Sequence, residues 1–233
     1  MKRILAFVLT LVLALLAVSC NMGSSGGISA KIVEMYNRKS PTKSVTVATY
    51  EYDDEVIKDT ITLVTGKING TINVAKLTEI KERLRTVADG SNAQIVPEIK
   101  KTETISEYYE GKGVRTKTDK EPWTDWDPAA KSFAPTDGSV SLNITESNIK
   151  AVKEEGKKIS FTVSAVDTQA VFGVGIASDV KVELAHDGAC VVGITLQYHE
   201  AATAETPDKP STPAVKVTIE VVYTYDIEPI TVG

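Results

Sequence analysis

The strongest constraint on the fold is a period-two pattern in the last part of the chain. Val215, Val217, Ile219, Val221, Tyr223 and Tyr225 alternate with Lys216, Thr218, Glu220 and Thr224. Successive side chains of an extended strand point to opposite faces, so the stretch satisfies both water and a core only as a strand with one face buried. The pattern recurs upstream. Ile159, Phe161, Val163 and Ala165 alternate with Ser160, Thr162 and Ser164. Val180, Val182 and Leu184 alternate with Lys181 and Glu183. Cys190, Val192, Ile194, Leu196 and Tyr198 alternate with Gly193, Thr195 and Gln197, after a His186-Asp187-Gly188 turn. One buried and one wet face is the signature of an antiparallel sheet, because a parallel sheet is covered on both sides.

The first half adds strands and one helix. Ile28, Ile32, Met35 and Tyr36 recur at helical spacing, which predicts an amphipathic helix over 28–38 stopped by Ser40-Pro41. Ser44 to Tyr52 is rich in Val, Thr and Tyr and reads as a strand, turned at Asp53-Asp54 and returning from Val56 to Ile68. Asn69-Gly70 is a hairpin signal, since both residues tolerate positive φ. Residues 72–87 fit two periods. Leu77, Ile80, Leu84 and Val87 suit a helix, whereas Ile72, Val74, Ile80 and Leu84 suit a strand with two misses; the preceding Asn-Gly turn favours the strand. A further hairpin is expected over 103–109 and 113–118 around Gly111-Lys112-Gly113, followed by an irregular aromatic loop, Glu121 to Pro128. Asp167 to Phe172 suits a short edge helix, and Ala201 to Pro213, with three prolines, a loop. Gly138 marks a midpoint without a clear linker. The order contains no β-α-β alternation, which excludes a doubly wound sheet. The expectation is an α+β, mostly β, single domain over 28–233: a curled antiparallel half-barrel sheet with a few short helices over its concave side. Ile61, Leu63, Phe161, Val163, Ile194, Leu196, Ile219 and Val221 are the candidate liners of an apolar groove on that side.

The amino terminus points to export. Met1, Lys2 and Arg3 precede an apolar run from Ile4 to Val18 that ends in Ala17-Val18-Ser19-Cys20. The run is shorter than the roughly 20 residues that span a bilayer and has the length of a signal-peptide core. Small residues before a cysteine match the bacterial lipobox, with Leu16 one position further back than the commonest form. Residues 1–19 are therefore expected to be a lipoprotein signal peptide, and Cys20 to carry diacylglycerol on its thiol, the side chain nucleophilic enough to form the thioether. Acyl chains contribute about 0.8 kcal/mol per buried methylene. Residues 20–27, rich in Gly and Ser, then read as a flexible tether. The expected location is the outward face of a bacterial cell membrane. The net charge of −5, without a basic stripe, argues against nucleic acid and against electrostatic docking on anionic lipid.

The residues that could carry chemistry do not converge. The chain has two histidines; His186 sits in a turn and His199 at the far end of the strand that follows, over ~30 Å away at strand rise, so no shared metal is expected. Both read as solvated. Cys190 is the second of two cysteines and, with Cys20 acylated, has no disulfide partner; it reads as a small buried hydrophobe. Gly173-Val174-Gly175 follows no clear strand and opens no helix, so it is no dinucleotide loop. Asp53, Asp54 and Glu55, and Glu154 with Glu155, read as solvated turns. Trp123 and Trp126, interleaved with Asp125 and Asp127, suit either a surface contact or a plug at the mouth of the curved sheet. No catalytic residue, metal or cofactor is expected.

Ile32-Val33-Glu34-Met35-Tyr36-Asn37 before Ser40-Pro41-Thr42-Lys43, Tyr108 to Arg115, Phe133-Ala134-Pro135, Val171-Phe172-Gly173, and the closing Val217 to Tyr225 with Ile227-Glu228-Pro229-Ile230 resemble segments of small lipoproteins of anaerobic Gram-positive bacteria. At fold level those look like the lipoprotein-carrier (LolA/LppX-like) superfamily. That resemblance implies a half-barrel with helices across its open side and acyl chains bound in the concavity. The extended 72–87 segment and the Pro-rich loop depart from it. The leading expectation is a lipid-anchored module that binds a lipid or other hydrophobic molecule. The competing one is a structural or interaction lipoprotein of the envelope with a closed core, contacting a protein partner through Trp123, Trp126 and the 201–213 loop.

Overall fold

The computed structural model describes residues 27–39, 41–53, 55–68, 71–89, 94–130, 142–204 and 211–226. The leader, Cys20, the tether before Gly27, Asn69-Gly70, Gly138 and the quoted segments 133–135 and 227–230 lie outside them.

Among the described residues, ten strands form one open antiparallel sheet. β1 (Lys43–Glu51), β2 (Glu55–Ile68), β3 (Thr71–Asp89), β4 (Gln94–Tyr109) and β5 (Gly113–Thr118) make one meander. β6 (Lys150–Glu155), β7 (Lys158–Val163), β8 (Val180–His186), β9 (Val191–Glu200) and β10 (Val215–Thr224) make the other. The spatial order is β5-β4-β3-β2-β1-β10-β9-β8-β7-β6, so the first and last strands pair at the middle. Helix α1 (Ile28–Asn37), a 3-10 turn (Ala165–Asp167) and helix α2 (Thr168–Phe172) complete the described elements. A mostly β chain with one antiparallel sheet and few short helices is the expected class. The ambiguous 72–87 segment is strand throughout.

The alternation read from the sequence is the burial pattern of the sheet. In β10 the odd residues Val215 to Tyr223 are buried and the even ones face out, apart from half-buried Thr218. The register carries this face across the strands in rows. One row runs Phe161, Val182, Leu196, Ile219, Ala48, Asp59, Lys81, Thr102. The next runs Ile159, Leu184, Ile194, Val221, Thr46, Ile61, Glu79, Thr104. Both rows are apolar from β7 to β10, mixed on β1 and β2, and polar on β3 and β4. The apolar part is covered by Ile32 and Met35 of α1, Val171 and Phe172 of α2, and Ile144, Ile149 and Ile176 of the connecting segments, all in one buried cluster.

Strand β1 supplies the change of character. Ser44, Thr46, Ala48 and Tyr50 point to the buried face, and the Ser44 and Thr46 hydroxyls are buried without a hydrogen-bond partner. A buried hydroxyl that bonds to nothing loses its water without compensation. Thr46→Val keeps the shape and removes that loss, so it is expected to stabilise the fold by about 1 kcal/mol, read as a raised urea midpoint at unchanged slope.

The two edges of the sheet differ. Residues 124–127 fold back along β5: Val114 and Asp127 exchange backbone hydrogen bonds of 3.1 and 2.7 Å, and Thr124 N–H donates to the Thr116 carbonyl at 2.9 Å. That segment occupies an edge whose bare N–H and C=O groups would otherwise template pairing with another chain. The opposite edge, β6, is exposed along its length, carries Lys150, Lys153, Glu154 and Glu155, and is broken by an irregularity between Lys150 and Lys153. Charges and a broken register discourage edge pairing by other means.

Candidate functional site

All eight candidate liners point to the same face of the sheet, as their parity requires, and all are buried at 4% exposure or less. They sit inside the one hydrophobic cluster, under α1 and α2. Ile61 also lines a cleft described below.

Trp123 and Trp126 are half-buried, outside that cluster, and do not plug the core. They sandwich Arg115, whose guanidinium carbon lies 4.5 Å from the Trp123 ring centre and 4.6 Å from that of Trp126. Arg115 is also bonded to buried Glu107 through Nε at 3.0 Å and Nη2 at 2.7 Å. Lys112 and Lys117 approach the two rings from either side. The indole faces are thus occupied by the protein's own cations, an arrangement that fastens the 123–128 segment over β5.

His186 is not solvated: it ends β8 on the buried face, and neither ring nitrogen has a hydrogen-bond partner. The turn that follows runs from Asp187 to Cys190, and Asp187 Oδ1 accepts from the N–H groups of Ala189 and Cys190 at 2.7 Å each. Those two donors hold the Asp187 carboxyl below the usual carboxylate range. Cys190 precedes β9 rather than lying in it, but is buried as expected, and burial pushes its thiol up. No group of three or more His, Cys, Asp or Glu among the described residues is placed to hold a metal ion.

The feature that stands out is where the buried face becomes polar. On β2, β3 and β4, two adjacent cross-strand rows bring Ile61, Glu79 and Thr104 beside Asp59, Lys81 and Thr102. These six side chains, with the intervening Thr60 and Ile80, line a cleft of about 210 Å³. Asp59 is 6% exposed and its Oδ1 has no hydrogen-bond partner. Its Oδ2 lies 4.0 Å from Nζ of Lys81, a side chain half in solvent. Burial raises the Asp59 carboxyl above its ordinary range, and Lys81 only partly offsets this; the same holds for Glu79, with Asp59 pushing it up further.

Tyrosines border this polar region. Tyr50, opposite Ile57 and diagonal to Asp59, is buried with an unpartnered hydroxyl, and burial first, then Asp59 and Tyr198, hold its phenol far above the ordinary value. Tyr198 is shifted the same way by burial and by Glu200, whose own carboxyl burial also raises. Next along β2 and β3, Arg83 Nε forms an ion pair with Glu55 Oε1 at 2.6 Å. The sequence already held the signal for this site. Asp59 falls on the same parity as Ile57, Ile61 and Leu63, a charge on the face a core demands, which is an exception that asks for an explanation.

A second cleft, of about 540 Å³, lies on the outer face of the other meander, between Lys153 on β6, Ser160 and Thr162 on β7, Lys181 and Glu183 on β8, and Gln197 on β9. Its walls are water-facing side chains, and Glu183 is engaged with Lys158 at 2.7 Å. Buried, unpartnered polar atoms distinguish the Asp59 cleft from it. No family model and no curated protein matches the chain.

Proposed function

We propose that this chain is an exported bacterial lipoprotein, anchored on the outward face of the membrane through diacylglycerol on Cys20, whose domain is a non-catalytic binding module of the cell envelope. The observation that carries the binding reading is the division of the inner face. Its apolar part is closed by the chain's own helices, and its polar part keeps a cleft lined by a buried carboxylate, Asp59, with one unsatisfied oxygen. A fold tolerates such groups where something else satisfies them.

The anchor rests on the lipobox-like Ala17-Val18-Ser19-Cys20 at the end of a run from Ile4 to Val18 that is apolar but for Thr10. Cys20→Ser is expected to move the protein from the membrane to the soluble fraction of the cell and to abolish the diacylglycerol mass increment on the mature N-terminal peptide. A serine variant that stays with the membrane would overturn the anchor.

A hydrophobic ligand among the eight apolar residues is the second reading. What favours it is the cover itself, built from helices of ten and five residues that carry no side-chain cap at their N-termini. Such short pieces open more readily than strands. The carrier-like resemblance supports this reading at the level of fold alone. Native mass spectrometry of gently purified protein decides between the two: a stoichiometric lipid adduct selects the hydrophobic reading, and its absence selects the polar cleft or a protein contact.

A further inference from the structure

We infer that the Asp59–Glu79 cleft binds an alkylammonium or guanidinium group, carried by a small amine or by a lysine or arginine side chain of a peptide. This deepens the binding-module reading and is independent of the anchor. The carboxylate of Asp59 is half-served. Oδ2 faces the Lys81 ammonium, which sits at the outer limit of ion-pair distance, while Oδ1 is buried and bonds to nothing. The Tyr50 hydroxyl on the neighbouring strand is likewise buried and unpartnered, on the same face and diagonal to Asp59. Glu79, one row away on β3, has no ion pair or hydrogen bond among the described residues. In the cleft, buried Asp59 Oδ1 and the half-buried Glu79 carboxylate therefore lack, among the described residues, the donors that a cationic nitrogen carries.

The other walls fit the same guest. Thr102 and Thr104 line the β4 side with hydroxyls that accept a hydrogen bond, and Ile61 offers an apolar contact for the carbon chain behind the charge. An anion is disfavoured by the paired carboxylates. A calcium ion takes six to eight oxygen ligands, and no group of three acidic or other ligating residues is gathered among the described residues. The size points the same way: about 210 Å³ is below the roughly 300 Å³ at which drug-sized ligands begin. Burial keeps both carboxyls above their ordinary range, the condition that an arriving cation relieves. Lys81, half in solvent, is free to swing aside or to share Asp59.

The test is calorimetric titration of the purified full chain in detergent with n-butylammonium chloride, agmatine and a capped lysine peptide, with n-butanol as the neutral control. Saturable binding of at least one cation and none of n-butanol is expected. Asp59→Asn and Glu79→Gln should each weaken binding about tenfold or more, the size of one charge-assisted hydrogen bond. Their melting temperatures should be no lower than that of the parent, because each removes a carboxylate raised by desolvation, buried at Asp59 and half-buried at Glu79. If Asp59→Asn fails to fold, Glu79→Gln decides. Tighter binding of the peptide than of the free amines identifies a protein side chain as the source, and the reverse order a small metabolite. Absence of saturable binding by all three cations overturns the inference, as does parent-like affinity in both variants. Either failure leaves the Cys20 fractionation result untouched.

Discussion

Phe172→Ala should lower the unfolding free energy by about 4 kcal/mol, and with it the thermal midpoint by roughly 10 °C for a domain of this size. Phe172 heads the fully buried side chains by volume, at 1% exposure. It closes α2, which Gly173 ends in a left-handed conformation at φ 70° while its N–H donates to the Gln169 carbonyl. From there the ring joins Val171 and Ile176 over the apolar rows of β7 to β10. Truncation removes the transfer energy of the ring and leaves a void that a short, capped helix cannot fill by sliding. Chemical denaturation in the presence and absence of added fatty acid is the measurement. A loss under 1 kcal/mol would mean that the cover is not packed as a core. Rescue by fatty acid would favour the hydrophobic-ligand reading.

Gly113→Ala should cost about 3 kcal/mol, with the damage concentrated at the β5 edge. Gly113 opens β5 at φ +95°, a region that residues with a Cβ rarely adopt. The closing of the edge leaves no room either: an added Cβ would fall 1.8 Å from the Asp127 carbonyl oxygen and 2.7 Å from the Pro128 Cα. Those atoms are backbone, so no rotamer change relieves the overlap. The 124–127 segment must lift away, breaking the reciprocal Val114–Asp127 hydrogen bonds and the stacking of both tryptophans on Arg115. The expected signs are a red-shifted tryptophan emission, fast amide exchange at Val114 and Asp127, and a greater tendency to associate through the bared edge. Unchanged emission and exchange would show that the segment contributes nothing to the edge.

The parts of this fold legible in the sequence are those where one face is dry and the other wet. β8 and β10 alternate cleanly because every second residue meets the core, and the eight apolar residues chosen by parity do share a face. β3 was ambiguous for a physical reason. Leu77 lies on the buried face, whereas Leu84 on the other is 42% exposed. A strand with charges on both sides carries no single burial period, so helical spacing fits its few apolar residues equally well. His186 looked like a turn residue because Asp187-Gly188 follows it, but the pleat of β8 fixes its side and buries it. The apolar positions alone could not distinguish an open groove from a covered one, since liners and core residues obey the same parity. The polar cleft was hidden differently. Asp59 and Glu79 are twenty positions apart, and only the β2–β3 register, with Ile61 opposite Glu79 and Asp59 opposite Lys81, brings them side by side.

The pairing of β1 with β10 has a consequence for how the molecule is made. Within each meander sequence neighbours pair, most of them through short turns that close in microseconds, the longer connections being those from β7 to β8 and from β9 to β10. The seam between them joins partners such as Thr42 and Thr224, 182 residues apart, so it is the last and slowest contact to zip. A chain synthesised amino end first therefore holds β1 with one side unpaired until the ten-residue β10 has been made. Loss of Val215–Thr224 would strand two half-sheets, each with a sticky flank open to aggregation and proteolysis.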